Sequence, residues 1–315
     1  MTAPRDSVLV IAGPTASGKS ELAVGLAEAH GGIVINADAL QVYRDLRILS
    51  ARPDDDTAAR APHRLYGVLD AAERGSAGAW RDLAIREIDA AHAAGQLPIL
   101  AGGTGMYLRS LQQGIAAIPA IPASLREAAG ALYGELGGAA FRERLALRDP
   151  EAAARLPPND RQRLTRAWEV VEATGLTLGQ WQAAKTAPPP YRFATILLMP
   201  PRAALYRACD ERLLAMIAAG GLDEAERLLA RNLDPDLPAM KGVGVPELLG
   251  HLRGEASLEA AVAAAQRSTR RYAKRQTTWF RHQLTPDLLL PEQYSESLLR
   301  CSRHFIDSFL LTAPN

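Results

Sequence analysis

The chain has 315 residues, of which 48% are hydrophobic and 23% are charged, and its formal net charge is +1. This is the composition of a globular protein, and nucleic-acid binding would have to depend on local clusters of basic residues. No apolar run approaches the roughly 18 residues of a membrane span, so no membrane association is expected. The two cysteines, Cys209 and Cys301, lie far apart and outside metal-binding or CxxC spacings, which favours a reducing compartment. Because the first apolar run begins at Val8, we expect no signal peptide and a cytoplasmic location.

Residues 13–20 fit the phosphate-binding pattern G-x-x-x-x-G-K-[ST], and we call them the P-loop. An apolar run at 8–12 precedes them and a helical pattern follows from Glu21, as this motif requires. Backbone N–H groups and the helix N-terminus of such a loop hold a phosphate or diphosphate, without specifying ATP. We expect Lys19 to neutralise the outer phosphate and the Ser20 hydroxyl to ligate Mg²⁺. The predicted diphosphate-binding residues are Gly13, Pro14, Thr15, Ala16, Ser17, Gly18, Lys19 and Ser20.

Strand and helix patterns alternate over the rest of the first third. Strands are predicted at 32–38, 64–70 and 97–101, a helix at 80–94, and another helix from about Met106. This rhythm predicts a parallel sheet with helices on both faces. Ligands of such sheets lie beyond the carboxyl ends of the strands, where the P-loop, Asp38 and Thr104 are all expected.

The character of the sequence changes near residue 115, where prolines break the pattern and a helical, arginine-rich stretch follows. A strand is predicted at 193–199, followed by helices at 202–231, 245–252 and 258–281. We therefore predict an α/β protein with a P-loop parallel-sheet core, a helical insertion and a helical C-terminal region. The predicted divisions are a core at 1–114, an insertion at 115–190, a return strand and helices at 191–285, and a tail with little signal at 286–315.

Two polar residues at predicted strand ends have alternative interpretations. Asp38 would hold Mg²⁺, act as a general base, or cap a helix N-terminus. Thr104, within Gly102–Gly105, would mark a plain turn or a place where a substrate approaches the backbone closely.

Two basic segments are candidate nucleic-acid contacts. Residues 160–166 place Arg163 and Arg166 on adjoining helix positions, although a solvated charged face explains them equally well. Residues 267–281 contain six basic residues, no acid and three aromatic residues, which suits a polyanion better than a solvated helix end. A small-molecule kinase or NTPase with an arginine-rich lid is the alternative, and it would bind ATP; the guanine signature N-K-x-D is absent.

Five segments together resemble the bacterial tRNA dimethylallyltransferases, also called tRNA isopentenyltransferases. The resemblance spans nearly the whole chain in the family's order, and the five segments together are far more specific than the P-loop alone. The segments are GPTASGKS at 13–20, NADALQVYR at 36–44, GGTGMYL at 102–108, DRQRLTRAWEV at 160–170 and TRRYAKRQTTWFR at 269–281.

The resemblance implies that dimethylallyl diphosphate binds at the P-loop with Mg²⁺. The acceptor would be the exocyclic amine of the adenosine 3′ to the anticodon, in tRNAs that read codons beginning with U. Asp38 would accept the amine proton and Thr104 would position the adenine, while the insertion grips the anticodon stem-loop. We expect a monomer. The predicted tRNA contacts are Asp38, Ala39, Leu40, Gln41, Thr104, Arg126, Gln162, Arg163, Leu164, Thr165, Arg166, Arg271, Lys274 and Arg275.

The chain departs from the family pattern at several positions. Ala39 replaces the usual serine, and LSARP at 49–53 replaces the usual GTAKP. Ala208 stands where the family carries an arginine thought to meet the diphosphate, which leaves Arg207 or Arg212 to substitute for it. The family's Gly-Tyr-Arg/Lys corresponds to GVP at 244–246.

Overall fold

A computed structural model describes residues 6–312 and divides the chain into two compact units. The first unit combines residues 1–112 with 189–315, and the second comprises residues 113–188. The sequence analysis placed the insertion at 115–190, within two residues of the second unit at each end. The ends of the predicted core and tail, residues 1–5 and 313–315, lie outside the described residues.

A parallel sheet of six strands forms the centre of the first unit. The strands are β1 (Ser7–Ala12), β2 (Gly32–Asn36), β3 (His63–Arg64), β4 (Leu97–Gly102), β5 (Arg192–Leu198) and β6 (Leu288–Leu290). Their order across the sheet is β3-β2-β4-β1-β5-β6. Every residue of β1, β2 and β4 is buried, and apart from Ser7 and Asn36 their sequences are apolar without alternation. The predicted α/β class with a parallel sheet is confirmed.

The core lies on both faces of this sheet. Val8 and Val10 of β1 belong to one buried cluster, whereas Leu9 and Ile11 belong to another. Successive side chains of a strand point to opposite faces, so both faces must be covered by helices. Among the described residues of the N-terminal part, the helices are α1 (Lys19–His30), α2 (Asp55–Arg60), α3 (Ala77–Ala93) and α4 (Gly105–Gln113).

The strand predicted at 64–70 is wrong beyond Arg64. Leu65 and Gly67 both have φ of 63°, a left-handed conformation that breaks a strand. Leu65 is 5% exposed, and burial of its side chain offsets the conformational cost. Leu69 retains only an isolated parallel bridge to Tyr43. Leu65 and Leu69 therefore pack in or against the hydrophobic core without forming a strand.

The second unit is helical and has its own buried cluster. Phe141, Leu145 and Leu164 are each 0% exposed in this cluster. A non-helical residue, Gly137, interrupts the long first helix at φ 72° and ψ 166°. Thr177 and Gln180 form a capping box that starts the last helix. The helices are α5 (Ala123–Ala146), α6 (Pro150–Arg155), α7 (Arg161–Thr174) and α8 (Leu178–Ala183).

The C-terminal region differs from its prediction in two places. The single helix predicted at 202–231 is divided by a π-helical turn at Ile217–Gly221, where Gly220 has φ of 94°. The tail, which carries little sequence signal, contains β6 at the sheet edge and a final amphipathic helix. The helices are α9 (Arg202–Met216), α10 (Leu222–Ala230), α11 (Val245–Leu252), α12 (Leu258–Gln283) and α13 (Glu296–Leu311).

Candidate active site

Three candidate segments follow three adjacent strands. The P-loop follows β1, Asp38 follows β2, and Thr104 follows β4. Because β2 pairs with β4 and β4 pairs with β1, the three segments meet at the carboxyl edge of the sheet. The structure thus brings together the residues that the sequence analysis placed in one crevice.

The P-loop contains two residues in the left-handed backbone region. Ala16 and Gly18 have φ of 62° and 88°. A side chain at Gly18 would overlap Tyr294, so both the backbone angle and the space demand glycine. No side chain caps the start of α1, so the N–H groups of its first turn remain available to an anion. The Thr15 N–H is already used, since it donates to Gln276 Oε1 at 2.8 Å.

Two cations face the P-loop. Burial lowers the pKa of Lys19 to about 8; the Asp38 carboxylate opposes this shift, and Arg212 adds to it. Arg212 donates a hydrogen bond to Thr15 Oγ1, and burial lowers its pKa as well. Both side chains lose hydration without a full counter-charge, so an anion bound between them would be strongly favoured.

The structure decides which arginine can compensate for Ala208. Arg212 contacts the P-loop and lines the same depression as Ala208 and Lys19. Arg207, the other candidate, is exposed to solvent. Of the two arginines, Arg212 is therefore the one that faces the P-loop.

Asp38 is held by a fully buried asparagine. Asn36 Oδ1 accepts the Asp38 N–H at 2.8 Å, and Asn36 Nδ2 donates to the carbonyls of Asp38 and Leu65, each at 3.0 Å. Asp38 Oδ1 in turn accepts the Leu40 N–H at 3.0 Å. One carboxylate oxygen fixes the turn while the other, Oδ2, remains for a substrate. Asp38 begins no helix, which removes the helix-cap interpretation.

Thr104 joins the Asp38 turn to the β4 turn. Its Oγ1 accepts the Ala39 N–H at 2.9 Å, and its N–H donates to Ala37 O at 3.2 Å. Tyr272 lines the same depression as Asp38, and burial, reinforced by the Asp38 charge, raises the pKa of Tyr272. Tyr272 therefore stays protonated at neutral pH and offers a hydroxyl beside Asp38.

Two depressions adjoin these groups. The first, with about 520 Å³ of empty space, is lined by Thr15, Asp38, Arg212 and Tyr272 together with apolar side chains. Its apolar lining residues are Leu40, Leu49, Leu213, Met216 and Val243. The second, with about 940 Å³ of empty space, is lined by P-loop residues, Arg52 and Arg212. Arg212 borders both depressions. An anion in the second depression would therefore lie next to an apolar group in the first.

Segment 47–52 borders both depressions and is held in place by Glu224 and Gln41. The sequence analysis did not identify Glu224, and it predicted Gln41 as a tRNA contact. Glu224 is 5% exposed and accepts the N–H groups of residues 47, 48 and 49 at 2.8, 2.9 and 2.9 Å. Gln41 Nε2 donates to the carbonyls of Ser50 and Ala51 at 2.9 and 2.7 Å. The amide of Gln41, predicted to touch tRNA, is thus occupied in holding this segment.

Replacing Glu224 with alanine is expected to lower the free energy of unfolding by about 3 kcal/mol, because three buried N–H groups lose their acceptor. Urea unfolding followed by circular dichroism measures the loss. Glu226 is exposed on the same helix, and its replacement by alanine is expected to cost less than about 0.5 kcal/mol. Equal losses for the two variants would contradict this role of Glu224.

The predicted basic helix is α12, and most of its basic residues are exposed. We call Arg267, Arg271, Lys274, Arg275 and Arg281 the basic face of α12. Arg270, included in the same sequence cluster, instead forms an ion pair with Asp210 at 2.6 Å. Phe280 is 0% exposed in the core, whereas Trp279 is half-buried. Of the interleaved aromatic residues, only Tyr272 lines the first depression.

The charged residues predicted for tRNA contact in the second unit are partly neutralised. Arg163 lies 3.4 Å from Asp160, and Arg166 lies 3.3 Å from Glu169. Gln162 is exposed on the first turn of α7. The Arg163 pair is exposed and weak, so Arg163 can exchange its carboxylate for a phosphate at small cost. Arg166 is paired with the buried Glu169, so its release would leave a buried carboxylate unpaired.

The remaining second-unit predictions differ in accessibility. Leu164 is 0% exposed, so its side chain supports α7 from the core and is not available as a contact. Thr165 Oγ1 donates back to Arg161 O at 2.9 Å. Arg126 donates to Ile121 O at 2.6 Å and remains partly exposed.

The donor set at the P-loop suits a magnesium ion carried by phosphates. Ser20 is exposed in the first turn of α1, beside Lys19. Within residues 6–312, no group of three or more His, Cys, Asp or Glu side chains could hold a metal. Mg²⁺ commonly keeps several waters and relies on substrate phosphates, so the Ser20 hydroxyl could contribute one ligand to an ion carried by a diphosphate.

No helix in the part of the chain that the structure describes is long and apolar enough to cross a bilayer.

The sequence is similar to proteins of one named family. The family model described as IPP transferase matches residues 41–283. A tRNA dimethylallyltransferase from Rhodospirillum centenum is 57% identical over 279 residues, covering 88% of this chain and 89% of the relative. One from Rhodospirillum rubrum is 54% identical over 314 residues, covering 98% and 96%.

Solved structures show the same similarity. The tRNA isopentenylpyrophosphate transferase of Bacillus halodurans matches with a TM-score of 0.70 and 31% identity, covering 98% of this chain and 97% of that one. A eukaryotic dimethylallyltransferase, described as acting on tRNA, matches with a TM-score of 0.80 and 25% identity, covering 96% and 80%. The similarity therefore extends over nearly the whole chain in sequence and in structure.

Proposed function

The chain belongs to the IPP transferase family, and we propose that it transfers the dimethylallyl group of dimethylallyl diphosphate to tRNA. The acceptor is the N6 amine of the adenosine 3′ to the anticodon, in tRNAs that read codons beginning with U. The product is N6-(dimethylallyl)adenosine. The observation that carries this proposal is the meeting of the P-loop, Asp38 and Thr104 beside an apolar-lined depression.

The donor binds with its diphosphate on the P-loop and its apolar group in the first depression. The N–H groups of the first turn of α1, Lys19 and Arg212 stabilise the negative charge that grows on the departing diphosphate. Ser20 would help to hold a Mg²⁺ ion, which would further neutralise the leaving group. The apolar side chains of the depression exclude water, which would otherwise compete for the allylic carbon.

The acceptor adenine leaves the stack of the anticodon loop to reach Asp38. The N6 atom forms a bond to the allylic carbon as the bond from that carbon to the diphosphate oxygen breaks. The amine proton passes to Asp38 Oδ2, because Oδ1 is engaged by the Leu40 N–H. Thr104, which holds the Ala39 N–H, and Tyr272, which lines the same depression as Asp38, orient the base.

The basic face of α12 and the arginines of the second unit bind the phosphates of the anticodon stem-loop. We further propose that the protein acts as a monomer in the cytoplasm, where its tRNA substrate is found. The amine that is prenylated is supplied by tRNA, so the nucleotide in the site is an acceptor and not ATP.

Lys274→Ala is expected to reduce the slope of log affinity for tRNA against log salt by about one unit, because one phosphate contact is lost. Filter binding over a range of KCl concentrations measures the slope. Lys241→Ala removes an exposed lysine outside α12, and its slope should equal that of the wild type. An unchanged slope for Lys274→Ala would remove this residue from the tRNA-binding surface.

One assay separates prenyl transfer from ATP chemistry. The protein is incubated with labelled dimethylallyl diphosphate or labelled ATP, each with and without unmodified tRNA. Label transferred from the prenyl donor to tRNA supports the proposal. ATP turnover without tRNA would instead support a P-loop kinase or NTPase.

A further inference from the structure

Gln276 is a buried amide that bridges the two halves of the candidate active site. It lies on α12 and is 6% exposed. Its Oε1 accepts the Thr15 N–H of the P-loop at 2.8 Å, and its Nε2 donates to Gly103 O of the β4 turn at 2.9 Å. The two bonded groups are 261 and 173 residues away from it in sequence.

The bridge has little freedom to lengthen or shift. A side chain at Gly103 would overlap Gln276 Nε2, so the amide approaches that turn as closely as glycine permits. Thr15 is held a second time, since its Oγ1 accepts from Arg212. The reversed amide would set a donor against the Thr15 N–H and an acceptor against the Gly103 carbonyl, so only one orientation satisfies both partners.

The two bonded groups belong to opposite sides of the reaction. Thr15 belongs to the loop that carries the donor diphosphate. Gly103 precedes Thr104, whose hydroxyl holds the turn with Asp38. Lys274 and Arg275, on the basic face of α12, lie within two residues of the bridging amide. One helix therefore joins the donor loop, the acceptor turn and a tRNA-binding surface.

We propose that Gln276 is a positioning residue that sets the separation between the donor carbon and the acceptor amine. This inference rests on the proposed prenyl transfer. Bond formation requires the reacting atoms to approach to about 3–3.5 Å, and a misplacement of 1 Å can cost about 100-fold in rate. The amide bridge maintains that approach by tying the P-loop to the β4 turn at fixed length.

Two variants remove the bridge in different ways. Gln276→Met has a similar volume but forms neither hydrogen bond, and Gln276→Asn keeps the amide but is too short to reach both partners. Each is expected to lower kcat about 100-fold and to change the KM for tRNA less than threefold, because the basic face of α12 is intact. Gln266→Met is the matched control, since Gln266 lies on the same helix and its Nε2 donates to Asp210 O at 3.5 Å.

Gln276→Glu tests the positioning role through the pH dependence of kcat. A purely structural role of Gln276 predicts no such pH dependence. The introduced carboxylate, when ionised, still accepts the Thr15 N–H but repels the Gly103 carbonyl, whereas the protonated acid can donate to that carbonyl. Burial raises a carboxyl pKa, so protonation is favoured as the pH falls from about 8 to about 5. The ratio of the variant's kcat to that of the wild type is therefore expected to rise over this range.

Circular dichroism establishes that each variant is folded before its single-turnover rate is measured with tRNA and dimethylallyl diphosphate. If the wild type transfers the prenyl group and the folded Met and Asn variants remain within threefold of it, the inference is wrong. A pH-independent ratio for Gln276→Glu, or loss of folding in all three variants, also overturns it. If the wild type transfers nothing to tRNA, the proposed function fails and this inference fails with it.

Discussion

Asp38→Asn is expected to lower kcat about 1,000-fold, because general acid–base groups typically contribute 10²- to 10⁴-fold. The asparagine keeps an oxygen that can accept the Leu40 N–H, which Asp38 Oδ1 accepts at 3.0 Å, so the turn keeps its shape. It cannot accept the N6 proton, and the aromatic amine is a poor nucleophile without a base. Single-turnover transfer of the prenyl group, with the tRNA and donor KM values, measures the effect.

Both KM values are expected to change less than threefold in this variant, since no group that binds the diphosphate or the tRNA phosphates is removed. Asp56→Asn is the control, because Asp56 is exposed on α2. A loss below tenfold for Asp38→Asn would assign proton acceptance to another group. A parallel loss of tRNA affinity would show that Asp38 acts mainly in binding.

Lys19→Met is expected to lower kcat/KM for the donor by about 100- to 1,000-fold, the range found when a donor to a developing oxyanion is removed. The methionine fills the volume of the lysine stem but carries no charge to the departing diphosphate. Steady-state kinetics at saturating tRNA measures the change. Lys241→Met, which removes an exposed lysine paired with Asp236, is the control and should match the wild type.

The pH dependence of donor binding tests the same residue. Burial lowers the pKa of Lys19 to about 8 in the free protein, so the ammonium is lost as the pH rises past 8. Donor affinity is therefore expected to decline above pH 8 in the wild type and to be flat there in Lys19→Met, in binding measured by calorimetry. A wild-type affinity that rises above pH 8 would contradict a charged Lys19 at the diphosphate.

The lowered pKa of Lys19 affects protein stability in the opposite direction from donor affinity. The unfolded chain keeps Lys19 protonated up to its ordinary pKa near 10.5, so it binds more protons than the folded chain between pH 8 and 10.5. The Lys19 contribution to the free energy of unfolding therefore increases with pH in that window. Below pH 8 the buried ammonium destabilises the fold by a constant amount, which Lys19→Met removes.

The sequence predicts the parts of the site that depend on local pattern. The P-loop, the Asp38 turn and the Thr104 turn each follow an apolar strand, and parallel strands bring such segments to one edge. For this reason the carboxyl-edge crevice can be placed before any coordinates are known. The order of the strands was not predicted, and it is the observed order that places β2, β4 and β1 side by side.

The parts that escaped prediction depend on contacts between distant segments. Gln276 looks like one polar residue within a basic helix, and its role depends on Thr15, 261 residues away. Glu224 resembles any acid of an amphipathic helix until three N–H groups converge on it. The apolar pattern at 65–69 suggests a strand, but the positive φ of Leu65 shows that burial prevailed over strand propensity.

Nucleoside analysis of tRNA after reaction tests the central claim most directly. Unmodified tRNA that reads a codon beginning with U is incubated with the protein and dimethylallyl diphosphate, digested, and examined by mass spectrometry. N6-(dimethylallyl)adenosine is expected to form at the position 3′ to the anticodon, and to be absent when that adenosine is replaced by guanosine. Modified adenosine at other positions, or unmodified tRNA accompanied by ATP hydrolysis, would contradict the assignment of the P-loop to the leaving diphosphate of a prenyl donor.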